Sequence, residues 1–435
     1  MEIRGINPSN IEKISKFKEE AKEVLEFRLK SYEKFKSLNL PAFGPKLDID
    51  FDNIIYYKSD TKDIKSSWKD INKNITCEFK DLGVIKSEET LDGMGVQYQS
   101  EVIYHNMIEE LTNKGVIFTS IEDAFKNHYD IVKKYFNKIV KYDENKFTAL
   151  NGAVFSGGSF IYVPKNTTLD RPLQSYFRIS SKELGQFERT LIIVDDNSSL
   201  HYVEGCTARN YTESNLHAAV VEIYVGKNSK CRYSTIQNWS NNVYNLVTKR
   251  AVVLENGVME WIDGNIGSYK NMKYPSCILK GDNSSGTCIT IGVATKGQVQ
   301  DTGAKMIHLG KNTKSNIISK SIASKGGNAS YRGKVYIDKE ATNSLALVKC
   351  DTLILDSDSK SDTYPDNIVC NKSSFIEHEA TVARISEEKL FYLESRGISK
   401  EKAIELIVLG FTERFKRELP MEYAVELNAL LKNNL

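Results

Sequence analysis

The chain has 435 residues, 40% hydrophobic and 27% charged, which is enough to bury a large core in about two or three domains and excludes a disordered tail or a miniprotein. Lysine plus arginine number 59 against 57 aspartate plus glutamate, a net charge of +2 spread along the chain, so neither nucleic acid nor an anionic membrane is an expected partner. No run approaches the ~18–20 apolar residues of a membrane span, and no apolar signal core follows Met1-Glu2-Ile3-Arg4, so export is not expected either.

Residues 1–150 read as a mixed, mainly helical domain. Asn10-Ile11-Glu12 opens a charged helical stretch to about Leu38, and a second runs from Gln99 to about Lys114, where Gly115 stops it. Val116-Ile117-Phe118 is a short strand, and Ser120 precedes a third helix through about Ile139. On this reading His105 lies on a helix.

From about Phe155 the pattern changes to short runs of Val, Ile, Tyr and Thr between polar turns. The turn pairs Lys165-Asn166, Asp196-Asn197, Lys227-Asn228, Glu255-Asn256, Asp282-Asn283, Lys311-Asn312, Lys339-Glu340 and Cys370-Asn371 are spaced by 31, 31, 28, 27, 29, 28 and 31 residues. Such a period, without the helices of a βαβ unit, predicts a right-handed parallel β-helix over 151–384. A propeller blade needs about 40 residues, and a β-sandwich has no reason to keep a period. The strand after each turn, from Leu200–Cys206 to Phe375–Thr381, should build one long parallel sheet. Residues 385–435 switch to helix: Ser386 and Ser399 cap two helices, Gly397 separates them, and Pro420 opens a third. Their Ile404, Ile407, Val408, Phe411, Phe415 and Val425 exceed what a short cap hides, which suits a docking surface for a partner.

Seven cysteines form no CxxC and leave one unpaired in any disulfide scheme, which favours a reducing compartment. There is no GxxxxGK[ST] loop, so any ATP used must be hydrolysed by another protein. Cys206 and Cys350 fall near the ends of equivalent strands, about five coils or roughly 24 Å apart, too far for direct thiol exchange. Glu377-His378-Glu379 follows Cys350 by about one coil, so a thiolate, an imidazole and carboxylates would meet as a metal or Fe–S ligand set. Gln237 and Trp239 lie on an intervening strand, and Arg178, one coil before Cys206, is the nearest candidate cation for a thiolate or persulfide there. Taken singly, each of these residues also fits a structural role, as a small filler, a hydrogen bond or a polar strand face.

The segments Gly95-Val96-Gln97-Tyr98-Gln99-Ser100-Glu101-Val102, Ser156-Gly157-Gly158-Ser159-Phe160, Val203-Glu204-Gly205-Cys206-Thr207-Ala208, Tyr331-Arg332-Gly333, Glu377-His378-Glu379-Ala380 and Ser395-Arg396-Gly397-Ile398 together resemble the SufB/SufD family of the SUF iron–sulfur cluster assembly system, and its SufB branch in particular. The resemblance implies a β-helix between helical ends, a scaffold rather than an enzyme, and a transient cluster, four-iron by expectation. Implied partners are a SufC-type ABC ATPase on the C-terminal helices, SufD or a second SufB, a cysteine desulfurase system as sulfur donor, and apo iron–sulfur proteins. By similarity Cys206 accepts sulfur and Cys350 is where the cluster forms, assisted by Glu377, His378 and Glu379, while Arg178, Gln237 and Trp239 match residues along the sulfur route. Ser180 stands where relatives often carry asparagine. Some complexes of the family bind reduced flavin, of which this sequence shows no sign. The implied compartment is the bacterial cytoplasm, with a plastid-type organelle as alternative. The rival readings are a SufD-like structural subunit and a carbohydrate-active β-helix enzyme.

Overall fold

The computed structural model describes residues 1–59, 63–208, 211–419 and 421–434. Its centre is a parallel β-solenoid of about 8 turns, mainly β, with a mixed N-terminal region and C-terminal helices. Two sheets form its walls among the described residues, one of ten strands and one of twelve. The ten-stranded sheet contains every strand expected to stack, from Ser199–Ala208 through Leu345–Ile354 to Phe375–Arg384. Its parallel pairs keep one register from coil to coil, which follows from the near-constant period.

The turn asparagines explain that constancy. Asn166, Asn197, Asn228, Asn256, Asn283 and Asn312 hold φ between 55° and 58°, left-handed backbone that asparagine tolerates better than other side-chain-bearing residues. Four of them form a ladder in which Asn197, Asn228 and Asn256 each donate to the asparagine one coil back, at 3.1, 3.0 and 2.9 Å. At the expected Lys339-Glu340 turn the left-handed residue is Asn343, three positions on. Asn371 holds its turn differently, with a side-chain amide donating to the Asp338 and Ala341 carbonyls.

The stretch from Gln99 is a strand, not a helix. Glu101–Met107 pairs antiparallel with Gly93–Tyr98, Gln99 makes the turn at φ 59°, and helix is confined to Glu109–Asn113. The run Val102-Ile103-Tyr104 prefers a pleated surface, and the hairpin extends the ten-stranded sheet at its N-terminal edge. His105 is therefore on a strand, its ring edge-on to Phe118 at 4.6 Å and its pKa lowered to about 4 by burial. The first helical stretch divides into Pro8–Phe17 and Lys22–Ser37.

Beyond the solenoid, Ser386 and Ser399 cap Glu387–Glu394 and Lys400–Lys416, and the last helix is Met421–Asn434. Pro420 and the side chain of Val425 lie outside the described residues. Val408, Phe415, Leu427 and Leu431 pack on the outward-facing Val203, Ile236, Ile262, Ile289 and Ile318 of the ten-stranded sheet. Ile404, Ile407 and Phe411 are partly buried against the same cluster. No helix among the described residues is long and apolar enough to cross a membrane.

Candidate functional site

Strand alternation turns Leu200, Tyr202, Glu204 and Cys206 into the solenoid, and fixed register extends each into a row along the axis. Cys206 heads a row of Gln237, Asn265, Gly292, Ser321 and Thr352. Glu204 heads the adjacent row, Thr235, Asp263, Thr290, Ser319 and then Cys350. The two thiols, both buried, thus stand about five rungs apart at opposite ends of one polar interior, in neighbouring rows.

That interior is charged. Glu204 Oε1 lies 3.6 Å from Cys206 Sγ and 3.5 Å from Lys249 Nζ, and the other carboxylate oxygen accepts from the Tyr233 hydroxyl. Lys249 Nζ is also 3.8 Å from Asp263, which meets Lys273 Nζ at 3.0 Å. Lys273 donates further to Asn265 Oδ1 at 3.0 Å and Thr235 Oγ1 at 3.4 Å. Thr290 then donates to Ser319, which is Cys350's partner in the register, at 3.1 Å. Two carboxylates and two ammonium groups buried together are tolerable only because they pair. Burial lowers the Lys273 pKa to about 8 against the pull of Asp263. Burial also opposes the Asp263 carboxylate, but Lys273 and then Lys249 hold it below its ordinary range. Burial, followed by Glu204, pushes the Cys206 thiol well up.

A second branch joins the sulfur-route candidates. Gln237 Oε1 accepts from Asn245 at 2.7 Å, and Asn245 Oδ1 faces His217 Nδ1 at 2.7 Å. His217 Nε2 reaches Glu188 at 2.8 Å, and the Trp239 ring lies 4.7 Å from the imidazole in the cluster that also packs Cys206. Among the described residues Gln237 Nε2 and Trp239 Nε1 are buried donors without a hydrogen-bond acceptor, so the interior beside Cys206 offers N–H groups to an anion.

At the other end, Cys350 Sγ is 3.6 Å from His378 Nε2 on the terminal strand Phe375–Arg384. His378 stands beside Val348 in the register, two residues from Cys350 along the strand but on the same face. The Tyr331 side chain, from the opposite sheet, is buried in the same cluster with its hydroxyl unpartnered among the described residues, and burial pushes the Cys350 pKa up to about 12. Among the described residues no further coil covers this rung, and exposed apolar side chains rim it, among them Phe375, Val382, Tyr364 and Ile368.

Residues 88–175 match the SufBD protein N-terminal region, and residues 177–411 match the SufBD core domain of SUF system FeS cluster assembly. The chain belongs to the SufBD family of iron–sulfur cluster assembly proteins. It is 53% identical over 431 residues to the iron–sulfur cluster assembly protein SufB of Bacillus subtilis (strain 168), covering 99% of this chain and 93% of the relative. SufBD family proteins of Staphylococcus saprophyticus and Staphylococcus aureus (strain USA300) match with the same identity and coverage.

Within this SufBD fold three expected neighbours face away from the thiols. Arg178 pairs in register with Thr207, not Cys206, so it leaves the interior on the other face, where it meets Glu78 at 3.4 Å and Thr207 Oγ1 at 2.9 Å. Ser180 donates to the same Glu78 at 3.0 Å. Lys249 is instead the ammonium nearest the Cys206 end of the charged chain. Glu377 and Glu379 flank His378 but point outward by alternation; Glu379 pairs with Lys349 at 2.9 Å and Glu377 stands beside Leu347. The acid–imidazole–acid trio is therefore divided between two faces, with only His378 against Cys350. Among the described residues no three His, Cys, Asp or Glu side chains converge as a metal-holding group.

Sequence reasoning missed Glu204, Asp263, Lys249 and Lys273. The two acids share the inward parity of Cys206 and Gln237, a signal that strand alternation offers. The two lysines come from the twelve-stranded sheet, and only placing that sheet brings them to the acids.

Proposed function

We propose that this SufBD protein is a SufB-type scaffold that takes sulfur at Cys206, passes it through the polar solenoid interior, and builds a cluster at Cys350 with a second subunit. The observation that carries the reading is the continuous inner row from Glu204, beside Cys206, through Asp263, Thr290 and Ser319 to Cys350 at the uncovered last rung. The Cys206 thiolate attacking the sulfur donor's persulfide takes its outer sulfur while the donor's cysteine leaves as thiolate. An anionic sulfur species needs donors and cations on its way, which Gln237, Trp239, Lys249 and Lys273 supply. Each transferred sulfur must gain two electrons to become sulfide, so a reductant takes part, and reduced flavin is a fitting class.

Cys350 and His378 supply a thiolate and an imidazole, and a partner SufD or second SufB seated on the exposed terminal strands completes the ligands. Glu377 and Glu379, on the outer face, are placed to act across that contact. Mixed ligation with few thiolates suits a four-iron cluster that must later leave for apo-proteins. A SufC-type ATPase docked on the C-terminal helices, proposed as a domain over 385–435 after the 1–150 and 151–384 domains, supplies the ATP-driven opening of the joint. The bacterial relatives support the bacterial cytoplasm as its compartment.

Anaerobic reconstitution with SufC tests this. Cys350→Ala should form no cluster even with free sulfide, whereas Cys206→Ala should fail only when sulfur comes from the desulfurase. Normal assembly by Cys350→Ala refutes the site.

A further inference from the structure

We propose that Asn367 is a positioning residue for the Cys350 site, its side-chain amide deciding which nitrogen of His378 carries the proton and which faces the thiol. The inference rests on the reading of Cys350 as the assembly thiol. Asn367 lies on the terminal strand Thr363–Val369 of the twelve-stranded sheet. There it stands beside the buried, inward-facing Val335 in the register, so it looks into the open end of the solenoid. His378 looks into the same space from the terminal strand of the other sheet. Asn367 Nδ2 is 3.0 Å from His378 Nδ1, while His378 Nε2 is 3.6 Å from Cys350 Sγ.

An amide nitrogen only donates, so Nδ1 must offer its lone pair, and the proton of a neutral imidazole then sits on Nε2. In this arrangement His378 is a donor to the Cys350 sulfur. Turning the Asn367 amide over presents Oδ1 to the ring, draws the proton to Nδ1 and opens the Nε2 lone pair toward the sulfur and any iron bound to it. One amide thus serves two stages: Nε2–H toward sulfur before iron arrives, and a free Nε2 when a ligand is needed. The exchange moves one proton between ring nitrogens and consumes no electrons.

The test uses the full-length chain labelled with ¹⁵N-histidine, in which His378 is one of six histidines and is assigned from the signal lost in His378→Gln. At about pH 8 the ring is neutral, because burial lowers its pKa. Wild type should show the Nε2–H pattern in long-range ¹H–¹⁵N spectra, Asn367→Asp the Nδ1–H pattern, and Asn367→Leu an averaged one. A merely structural asparagine would leave the ring pattern unmoved, so an Nδ1–H wild type, or three like spectra, overturns the proposal. In anaerobic loading with iron and sulfide, Asn367→Leu should be slower by about tenfold, the scale of a lost partner behind a ligand. Loading at the wild-type rate also overturns it. Wild-type loading by Cys350→Ala would instead sink the assembly reading, and the spectra of the unloaded chain would still decide the role of Asn367.

Discussion

Asp263→Asn removes the carboxylate that Lys273 meets at 3.0 Å and Lys249 at 3.8 Å. The Asp263 and Lys273 side chains are 1% and 0% exposed, so water cannot replace the lost partner. At an effective dielectric constant of about 20 the gross attractions are ~5.5 and ~4.4 kcal/mol. The net cost of breaking one partner of a buried ion pair is ~3–5 kcal/mol. Lys273, with its pKa already near 8, can shed its proton and limit the damage, so the lower end, ~3 kcal/mol, is expected. The double variant Asp263→Leu/Lys273→Met removes both charges, leaves Lys249 with Glu204, and should return to within ~1 kcal/mol of wild type. It should nevertheless lose desulfurase-driven assembly while keeping assembly from free sulfide. Denaturant unfolding read by tryptophan fluorescence suits the measurement, because Trp239 and Trp261 are both buried in the solenoid. An Asp263→Asn variant within ~1 kcal/mol of wild type, or a double variant that assembles clusters from the desulfurase at the normal rate, refutes this role of the buried pair. The pH dependence carries a sign. Folding lowers the Lys273 pKa from 10.5 to about 8, so between those values the unfolded chain binds more protons and stability rises with pH. The cost is present in full below pH 8, and Lys273→Met should abolish this rise.

Asn228→Ala should cost about 1–2 kcal/mol for the left-handed backbone at φ 55° beyond the two ladder bonds it breaks, whereas Asn228→Gly loses the ladder alone. Equal denaturation midpoints for the two variants would show that backbone strain is not the reason for asparagine. Phe415→Ala should weaken docking of the C-terminal helices by about 3–5 kcal/mol, speeding limited proteolysis there while amide exchange in the solenoid strands stays slow. Cleavage at the wild-type rate refutes that packing. For His217, burial opposes the charge but Glu188 and Asn245 together raise the pKa, so its contribution is full below the ordinary histidine range and fades as pH rises through the folded value. The stability gap between wild type and His217→Gln should therefore narrow with rising pH, and a gap that widens contradicts the pairing.

Much of the architecture was legible because a solenoid writes its geometry locally. A turn asparagine recurring every 27 to 31 residues needs no distant contact to be read, and it places Cys206 and Cys350 near the ends of equivalent strands. The segment from Gln99 reads as helix because its charged ends resemble a helix surface, whereas its pairing partner Gly93–Tyr98 contributes three apolar and two glycine positions that only a sheet uses. Arg178 shows a second limit: one residue's shift along a strand reverses its face, and a coil count alone does not resolve that.

The amino-acid order by itself determined the period, the family and the two thiols, because each is encoded within one coil or one short motif. Which groups meet inside was decided by the tertiary structure. Lys249 and Lys273 reach Glu204 and Asp263, and Asn367 reaches His378, only across the gap between two sheets. No repeat spacing specifies that gap, since it depends on how each coil bends between its strands.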